Sequence, residues 1–264
     1  MSHFIKAPHP ALKPYIQDFW FLHFRIPHAK SLPPLAAAPV PQQALYFYPR
    51  QKGIARTLDG RKIVPPTAMI GGQGTERINY YLPEDYLMFK IVFQPSGFYR
   101  LFGTPMTLFV DNNEDAVSVL GNDMKAVQER IEAVDDFETM VKIAETYLFQ
   151  KIKQAKYSEL PIDKVLSQLN WQNQSLDKIA HESCLSSRQF ERNFLNRLGV
   201  SPKFYGRLYR FNETMKLKEK KPTLSWMNIA YDSGYFDHNH LLRDFKQFTG
   251  AMPSNFDLDQ ALFY

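Results

Sequence analysis

Two stretches near the carboxyl end carry polar and basic side chains at a spacing that suits hydrogen bonding to a flat, polar partner. In the later stretch, His238, Asn239 and Arg243 fall on one side of a predicted helix. In the earlier stretch, the outward residues are Arg188, Glu191 and Arg192. Arginine can donate two hydrogen bonds to guanine, asparagine can pair with adenine, and glutamate can accept from the cytosine amino group. These residue types favour recognition of nucleic-acid bases.

The later stretch, residues 225–256, is predicted to form two short helices joined by a tight turn. Apolar residues at helical spacing give the first helix one inward face: Trp226, Ile229 and Ala230. Gly234 can take a positive φ without steric cost, so we expect the first helix to end near Asp232.

The second helix of this stretch begins after Asp237, whose side chain can cap free backbone N–H groups. Leu241, Phe245 and Phe248 recur at steps of four and three residues and face inward. Two helices that meet across a turn containing glycine, with polar side chains outward on the second, are typical of a DNA-binding helix-turn-helix.

The same pattern occurs earlier in the chain, where helices are predicted over 162–169, 176–182 and 187–198. Ser175 is expected to cap the second of these helices, and Phe190, Phe194 and Leu198 place the third against a core. Pro202 suits the first turn of a further helix, which nothing interrupts before Pro222. At 1.5 Å per residue, some 15 residues of this helix span roughly 20 Å and can separate two recognition helices.

Together these motifs resemble the AraC/XylS family of bacterial transcription regulators. The later unit carries the matching residues Ile229-Ala230, Gly234-Tyr235, Asp237, Leu241, Arg243, Phe245-Lys246, Gly250 and Pro253. The earlier unit carries Ala180, Leu185-Ser186, Arg188, Phe190, Phe194 and Gly199. The sequence departs from the family pattern at Ala251, at Phe256-Asp257, and at Cys184, where a glycine is usual. Cys184 is expected to be buried in a slightly strained turn, without a catalytic role.

The resemblance implies a regulator that binds double-stranded DNA through two helix-turn-helix units, one in each of two successive major grooves. It adds His240 to the predicted base contacts of the later unit. Residues on the connecting helix are expected to hold phosphates: Lys203, Arg207 and Arg210. Each of these side chains is alternatively a solvated surface charge, and Arg243 alternatively pairs with Asp244 or Asp237.

Composition agrees with such a partner. The formal net charge is +5, and residues 188–221 hold ten Lys or Arg against three Glu. A single cysteine excludes a disulfide within the chain and a cysteine zinc cluster. The histidines show no metal-ligand spacing, and we expect no cofactor and no metal. No signal peptide or apolar run long enough to cross a membrane is present, so a cytoplasmic protein is expected.

The amino-terminal half is predicted to be rich in β structure. Strands are expected over 44–48, 55–58, 62–64, 68–72, 77–81 and 87–93, after an extended connection over 27–41. A short helix over 93–102 and helices over 123–133 and 136–154 follow. The fold class is therefore α+β, with an antiparallel sheet or barrel and helices in the first half and an all-α second half.

We expect two domains, a sensor or dimerisation domain over 1–157 and a DNA-binding domain over 160–264. Aromatic residues of the first domain could surround a small effector: Trp20, Tyr46, Tyr48, Phe89 and Phe93. Plain core packing is the alternative for each of them. Helix 136–154, with its apolar stripe, could instead form a homodimer. The junction is short, so the first domain should pack near the first helix-turn-helix unit.

Two other classes of function remain open at this point. An enzyme could use the aromatic half as a pocket, although no GxSxG, HExxH or phosphate-loop motif occurs. A helical module that binds another protein would show the same packing without touching DNA. A steep salt dependence of DNA binding separates the second alternative from a DNA-binding regulator, because it reports phosphate contacts.

Overall fold

The computed structural model describes residues 2–25, 33–155, 159–168, 175–256 and 261–262. Its strands are β1 Ser2–Lys6, β2 Ile16–Arg25, β3 Leu35–Ala37, β4 Ala44–Phe47, β5 Ile54–Thr57, β6 Lys62–Ile63, β7 Ala68–Gly71, β8 Ile78–Tyr81, β9 Asp85–Phe93, β10 Asn113–Asp115 and β11 Ala261–Leu262. Its helices are α1 Gly97–Phe102, α2 Ala116–Leu120, α3 Asn122–Glu132, α4 Phe137–Gln154, α5 Pro161–Gln168, α6 Leu176–Glu182, α7 Ser187–Leu198, α8 Pro202–Lys220, α9 Trp226–Asp232 and α10 His238–Thr249.

The strands form two sheets, which confirms the α+β class. A six-stranded sheet has the order β1-β2-β9-β4-β7-β10, and a five-stranded sheet has the order β11-β3-β8-β5-β6. Neighbours are antiparallel except β11 and β3, which run parallel. The strand β3 lies inside the segment 27–41 that we expected to be only an extended connection; residues 27–32 of that segment lie outside the described residues.

The central strand β9 shows why the sheet has two different faces. Side chains alternate along a strand, so Phe89, Ile91 and Phe93 point to one side and join the main core with helices α1 to α4. Met88 and Lys90 point to the other side, toward the five-stranded sheet. One sheet therefore separates a packed core from a cavity.

Helix α4 completes that core. Its predicted apolar stripe is buried against the sheet and against α3, through Met140, Val141, Ala144 and Leu148. Asp136 caps the helix by accepting from the backbone N–H of Thr139. The helix named above as an alternative dimer contact therefore uses its apolar stripe in the core of the chain.

The carboxyl-terminal half consists of helices around two smaller cores. The first contains Phe190, Phe194 and Leu198 with residues of α5 and α6, and the second contains Leu241, Phe245 and Phe248 with residues of α8 and α9. Helix α8 contributes to both cores and is 19 residues long, about 28 Å. The expected caps Ser175 and Asp237 are found at the starts of α6 and α10, and Pro202 lies in the first turn of α8 as expected. Residue 169 of the predicted helix 162–169 lies outside the described residues. Residues 156–158, at the predicted junction between the halves, lie outside them as well.

Candidate nucleic-acid interface and ligand cavity

Helix α7 presents the first group of predicted base-contacting residues. Arg188, Glu191 and Arg192 are exposed on it, while Phe190 and Phe194 hold the opposite face in the core. A reciprocal capping box between Ser186 and Gln189 fixes the start of the helix. The first turn of α7 is therefore held by hydrogen bonds, and it carries two cations and one acceptor toward solvent.

Helix α10 presents the second group in the same way. Asn239, His240 and Arg243 are exposed and His238 is partly exposed, near the start of the helix. The Arg243 Nε lies 3.4 Å from the backbone oxygen of Asn239, so its guanidinium stays beside the early turns of α10. The neighbouring Asp244 is buried on the other side of the helix. Within the described residues, Arg243 therefore does not pair with Asp244, which was one of its two alternative partners.

The three residues predicted to hold phosphates differ in their surroundings. Lys203 is exposed. Arg207 donates from Nε to Asp244 Oδ1 at 2.9 Å, and Tyr235 donates to the other oxygen of Asp244 at 3.1 Å. The Arg210 guanidinium lies over the Tyr235 ring, 5.2 Å from its centroid. Arg207 and Arg210 thus fasten α8 to the second helix-turn-helix unit, and their contact with phosphate remains a prediction.

The two turns between the paired helices have the same left-handed backbone. Gly234 has a φ of 76°, and Cys184 in the first unit has a φ of 55°. The expectation of strain at Cys184 is confirmed, because residues other than glycine rarely adopt this conformation. The expectation that Cys184 is buried is wrong, since its side chain is exposed.

A cavity of about 430 Å³ lies between the two sheets. It is lined by Trp20, Tyr46 and Tyr48, three of the five residues predicted to contact an effector. Phe89 and Phe93 do not line it; they are buried in the main core, on the opposite face of β9. Side chains alternate along β9, so Phe89 and Phe93 lie on the face opposite to the cavity, and the prediction is wrong for these two residues.

The sequence interpretation also missed the charged residue in this cavity. Lys90 is almost fully buried, and its Nζ donates to Gln42 Oε1 at 2.8 Å. The ammonium lies 5.1 Å from the Trp20 ring centroid and 5.3 Å from that of Tyr46. Burial lowers the pKa of Lys90 to about 8. A lysine within an otherwise apolar and aromatic strand is the signal that could have identified it.

Tyrosine side chains surround the rest of the cavity. The hydroxyls of Tyr80 and Tyr86 lie 3.3 Å apart, and the rings of Tyr46 and Tyr48 stack with centroids 6.3 Å apart. Burial raises the pKa of each of these four hydroxyls. They are therefore neutral hydrogen-bonding groups on an aromatic wall.

One wall of the cavity is shared with the helical half. We call residues 38–43 the strap; Ala38, Pro39, Val40 and Gln42 of the strap line the cavity. On its other side, the Pro39 carbonyl accepts from Asn212 Nδ2 at 3.0 Å, and the Pro41 carbonyl accepts from the Tyr205 hydroxyl at 3.3 Å. Gln43 donates to the Arg197 carbonyl at 2.6 Å. The strap thus joins the cavity to α7 and α8.

Other contacts extend this interface. The Arg197 guanidinium lies over the Tyr99 ring at 5.0 Å and pairs with the buried Asp163 of α5. Arg77 donates to the Thr249 carbonyl at 2.9 Å, near the end of α10. The expectation that the first half packs near the first helix-turn-helix unit is confirmed, and the contacts reach the second unit as well.

In the described part of the chain, no group of three or more His, Cys, Asp or Glu is placed to hold a metal ion. None of the described helices is both long and apolar enough to cross a membrane.

Two helix-turn-helix units joined by one long helix define a DNA-binding domain. Residues 179–258 match a family model described as a helix-turn-helix domain, and residues 6–115 match a domain of unknown function, DUF6597. The carboxyl-terminal half thus carries a helix-turn-helix domain of the AraC type, with the motifs of both units, and the chain is a DNA-binding regulator. No curated protein matches the sequence.

Among solved structures, the chain is similar to ToxT from Vibrio cholerae. One ToxT structure at 1.65 Å resolution has a TM-score of 0.47 and 14% identity, covering 92% of this chain and 98% of that chain. ToxT bound to an unsaturated fatty acid has a TM-score of 0.44 and 11% identity, covering 100% and 97%. ToxT bound to (E)-4-(8-methylnaphthalen-1-yl)but-3-enoic acid has a TM-score of 0.45 and 11% identity, covering 92% and 98%.

Proposed function

We propose that this regulator binds specific sequences of double-stranded DNA and that a small molecule in the cavity between the sheets controls the binding. The observation that carries the proposal is the strap, which lines the cavity on one side and is hydrogen-bonded to α7 and α8 on the other. The domain division expected from the sequence, at residues 157–160, is part of this proposal.

The DNA-binding part rests on the exposed faces of α7 and α10. Both begin at a capped end and carry side chains suited to base edges, with Arg188 on the first and Asn239 and Arg243 on the second. Helix α8, about 28 Å long, is of the length needed to hold the two units on successive major grooves, which lie roughly 34 Å apart on one side of a duplex. One copy of the chain would then contact two grooves.

The small-molecule part rests on the form of the cavity. A volume of about 430 Å³ lies within the range of ligand sites, and the walls are mostly aliphatic and aromatic with few polar groups. A ligand changes DNA affinity only if it binds two arrangements of the strap unequally. Because α4 uses its apolar stripe in the chain's own core, we assign control to the cavity rather than to pairing through α4.

The first experiment selects duplexes from a random library with the full chain and measures their affinity over a series of salt concentrations. We expect one enriched sequence spanning two neighbouring major grooves and a steep loss of affinity with salt. Replacing Arg188 and Arg243 together with alanine should abolish the enrichment. Arg130→Ala, an exposed arginine on α3, is the matched control and should leave it unchanged.

A second step screens small molecules by thermal shift and measures the DNA affinity of the full chain with each molecule that stabilises it. A change of at least about fivefold is expected for a true effector. Absence of any enriched duplex would contradict the DNA-binding proposal and favour the helical interaction module. Turnover of a stabilising molecule would favour the enzyme alternative.

A further inference from the structure

The cavity has an unusual distribution of charge. Of the charged side chains that line it in the described part of the chain, Arg61, Glu76 and Asp111 are exposed, whereas Lys90 is buried. The walls around Lys90 are the rings of Trp20 and Tyr46. A positive charge therefore lies inside an apolar chamber, and the other charges lie toward solvent.

The present partners of Lys90 compensate its charge only in part. Gln42 supplies a neutral oxygen at 2.8 Å, and the two rings supply cation–π contacts. Within the described residues, Lys90 forms no ion pair with an aspartate or glutamate, and Asp18 acts on it only as a weaker attraction. Burying a charge without an opposite charge is costly, so an anion entering the cavity would be strongly favoured at this point.

We propose that the cavity binds a carboxylic acid with an apolar body, and that its carboxylate pairs with Lys90 Nζ in place of Gln42. The inference rests on the proposed function only in treating the cavity as the effector site. A single buried ammonium matches a single negative charge. Phosphates and other dianions are usually held by several donors, commonly with an arginine fork, and Lys90 is the one buried cation among the described lining residues.

When a carboxylate replaces Gln42 as the partner of Lys90, the ligand also changes a contact of the strap. Gln42 lies between Pro41, whose carbonyl accepts from Tyr205, and Gln43, which donates to the Arg197 carbonyl. A carboxylate that takes the ammonium frees the Gln42 side chain. The segment that holds α7 and α8 then loses its side-chain bond to β9, while Gln73 still donates to the Val40 carbonyl and the backbone N–H of Phe93 still donates to the Gln43 carbonyl.

The test uses calorimetric titration of the full chain with two acids, biphenyl-4-acetate and decanoate, each beside its primary amide and the corresponding amine. We expect at least one acid to bind about tenfold or more tightly than its amide, and the amines to bind weakest. Lys90→Met should bring the acid-to-amide ratio close to one, and Lys90→Arg should keep a preference for the acid. Lys62→Met, an exposed lysine of β6, is the matched control.

Circular dichroism and DNA affinity of the unliganded variants report whether each variant folds. If Lys90→Met does not fold, Lys90→Arg still tests the proposal. If neither acid binds the wild-type chain more tightly than its amide, the proposal is overturned. It is also overturned if a folded Lys90 variant without the charge keeps the full preference. If the binding of an acid requires Lys90 but does not change the affinity for DNA, the carboxylate site is supported and the effector role of the cavity is contradicted. Failure of this inference can therefore be distinguished from failure of the proposed function.

Discussion

At the scale of single residues, the buried charge of Lys90 lowers the stability of the fold but provides the proposed contact with a ligand. Its pKa falls from 10.5 to about 8 in the folded chain because burial disfavours the ammonium. Between these values the unfolded chain holds a proton that the folded chain has released, so the free energy of unfolding rises as pH increases. The rise amounts to about 3 kcal/mol, at 1.36 kcal/mol per pKa unit.

We therefore predict that Lys90→Met removes this rise and increases the free energy of unfolding at pH 7 by about 1–3 kcal/mol. Urea unfolding at several values from pH 7 to just below 10 measures both effects. The upper limit matters because the buried tyrosines, with raised pKa values, lower stability above their ordinary pKa of about 10. Identical pH slopes in the wild type and the variant would contradict the prediction, and Lys62→Met should keep the wild-type slope.

A second prediction at this scale separates residues that read bases from one that holds phosphate. Arg188→Ala or Arg243→Ala should cost about 1–3 kcal/mol of specific binding and relax the preference at one base pair. Lys203→Ala should weaken all sequences alike and reduce the salt slope by about one. Fluorescence anisotropy on the selected duplex and on single-base variants measures both. Equal losses on every duplex from all three variants would show that the arginines contact phosphate.

The sequence predicts the exposed residues better than the buried polar ones. Arg188 and Arg243 follow from helical periodicity, which is a local property. Arg207 has Asp244, 37 residues further along, as its closest partner, and the local pattern does not indicate this contact. Lys90 shows the same limit, because its burial depends on a second sheet that the local pattern of β9 does not specify. Contacts between distant segments decide which charges are internal.

At the scale of elements, helices are predicted well because their signals are local. The starts of α6, α7 and α10 carry capping side chains, and their bounds follow the predicted ones closely. Short strands are harder. Strand β3 is three residues long and is held by pairing with β8, about 40 residues away, so nothing in its own proline-rich surroundings indicates it.

The turn of the first helix-turn-helix unit gives the prediction for this scale. Cys184→Gly should raise the free energy of unfolding by about 0.5–1 kcal/mol, because glycine adopts its left-handed φ without strain but has more freedom when unfolded. The reverse change in the second unit, Gly234→Ala, should lower it by about 1 kcal/mol. Urea unfolding of both variants makes the comparison. A loss of stability in Cys184→Gly would show that the cysteine makes contacts worth more than the strain.

At the scale of the whole molecule, the two halves are joined by more than the chain connection. The strap puts Ala38 into the core formed by α8, α9 and α10, although it belongs to the half that surrounds the cavity. The sequence indicates two halves with a short junction, but not this interface. Its hydrogen bonds connect residues more than 150 positions apart, for example Gln43 with Arg197 and Pro39 with Asn212.

The last prediction tests whether the strap transmits the ligand's effect. Asn212→Ala removes the donor to the Pro39 carbonyl from the middle of α8. Because Asn212 does not line the cavity, we expect ligand affinity to change by less than about twofold, while the effect of the ligand on DNA affinity falls toward none. Thr214→Val is the matched control: Thr214 is also buried on α8 and donates to a carbonyl four residues earlier, but that bond stays within the helix.

The measurement compares the affinity of the selected duplex, with and without a saturating cavity ligand, for the wild type and both variants. Wild type and Thr214→Val should show the same ratio, at least about fivefold, and Asn212→Ala a ratio near one. If Asn212→Ala keeps the full ratio, the strap is not the route between the halves, and the contact of Arg77 with the end of α10 becomes the next connection to test. If Thr214→Val loses the ratio as well, the packing of α8 as a whole carries the effect, rather than its bond to the strap.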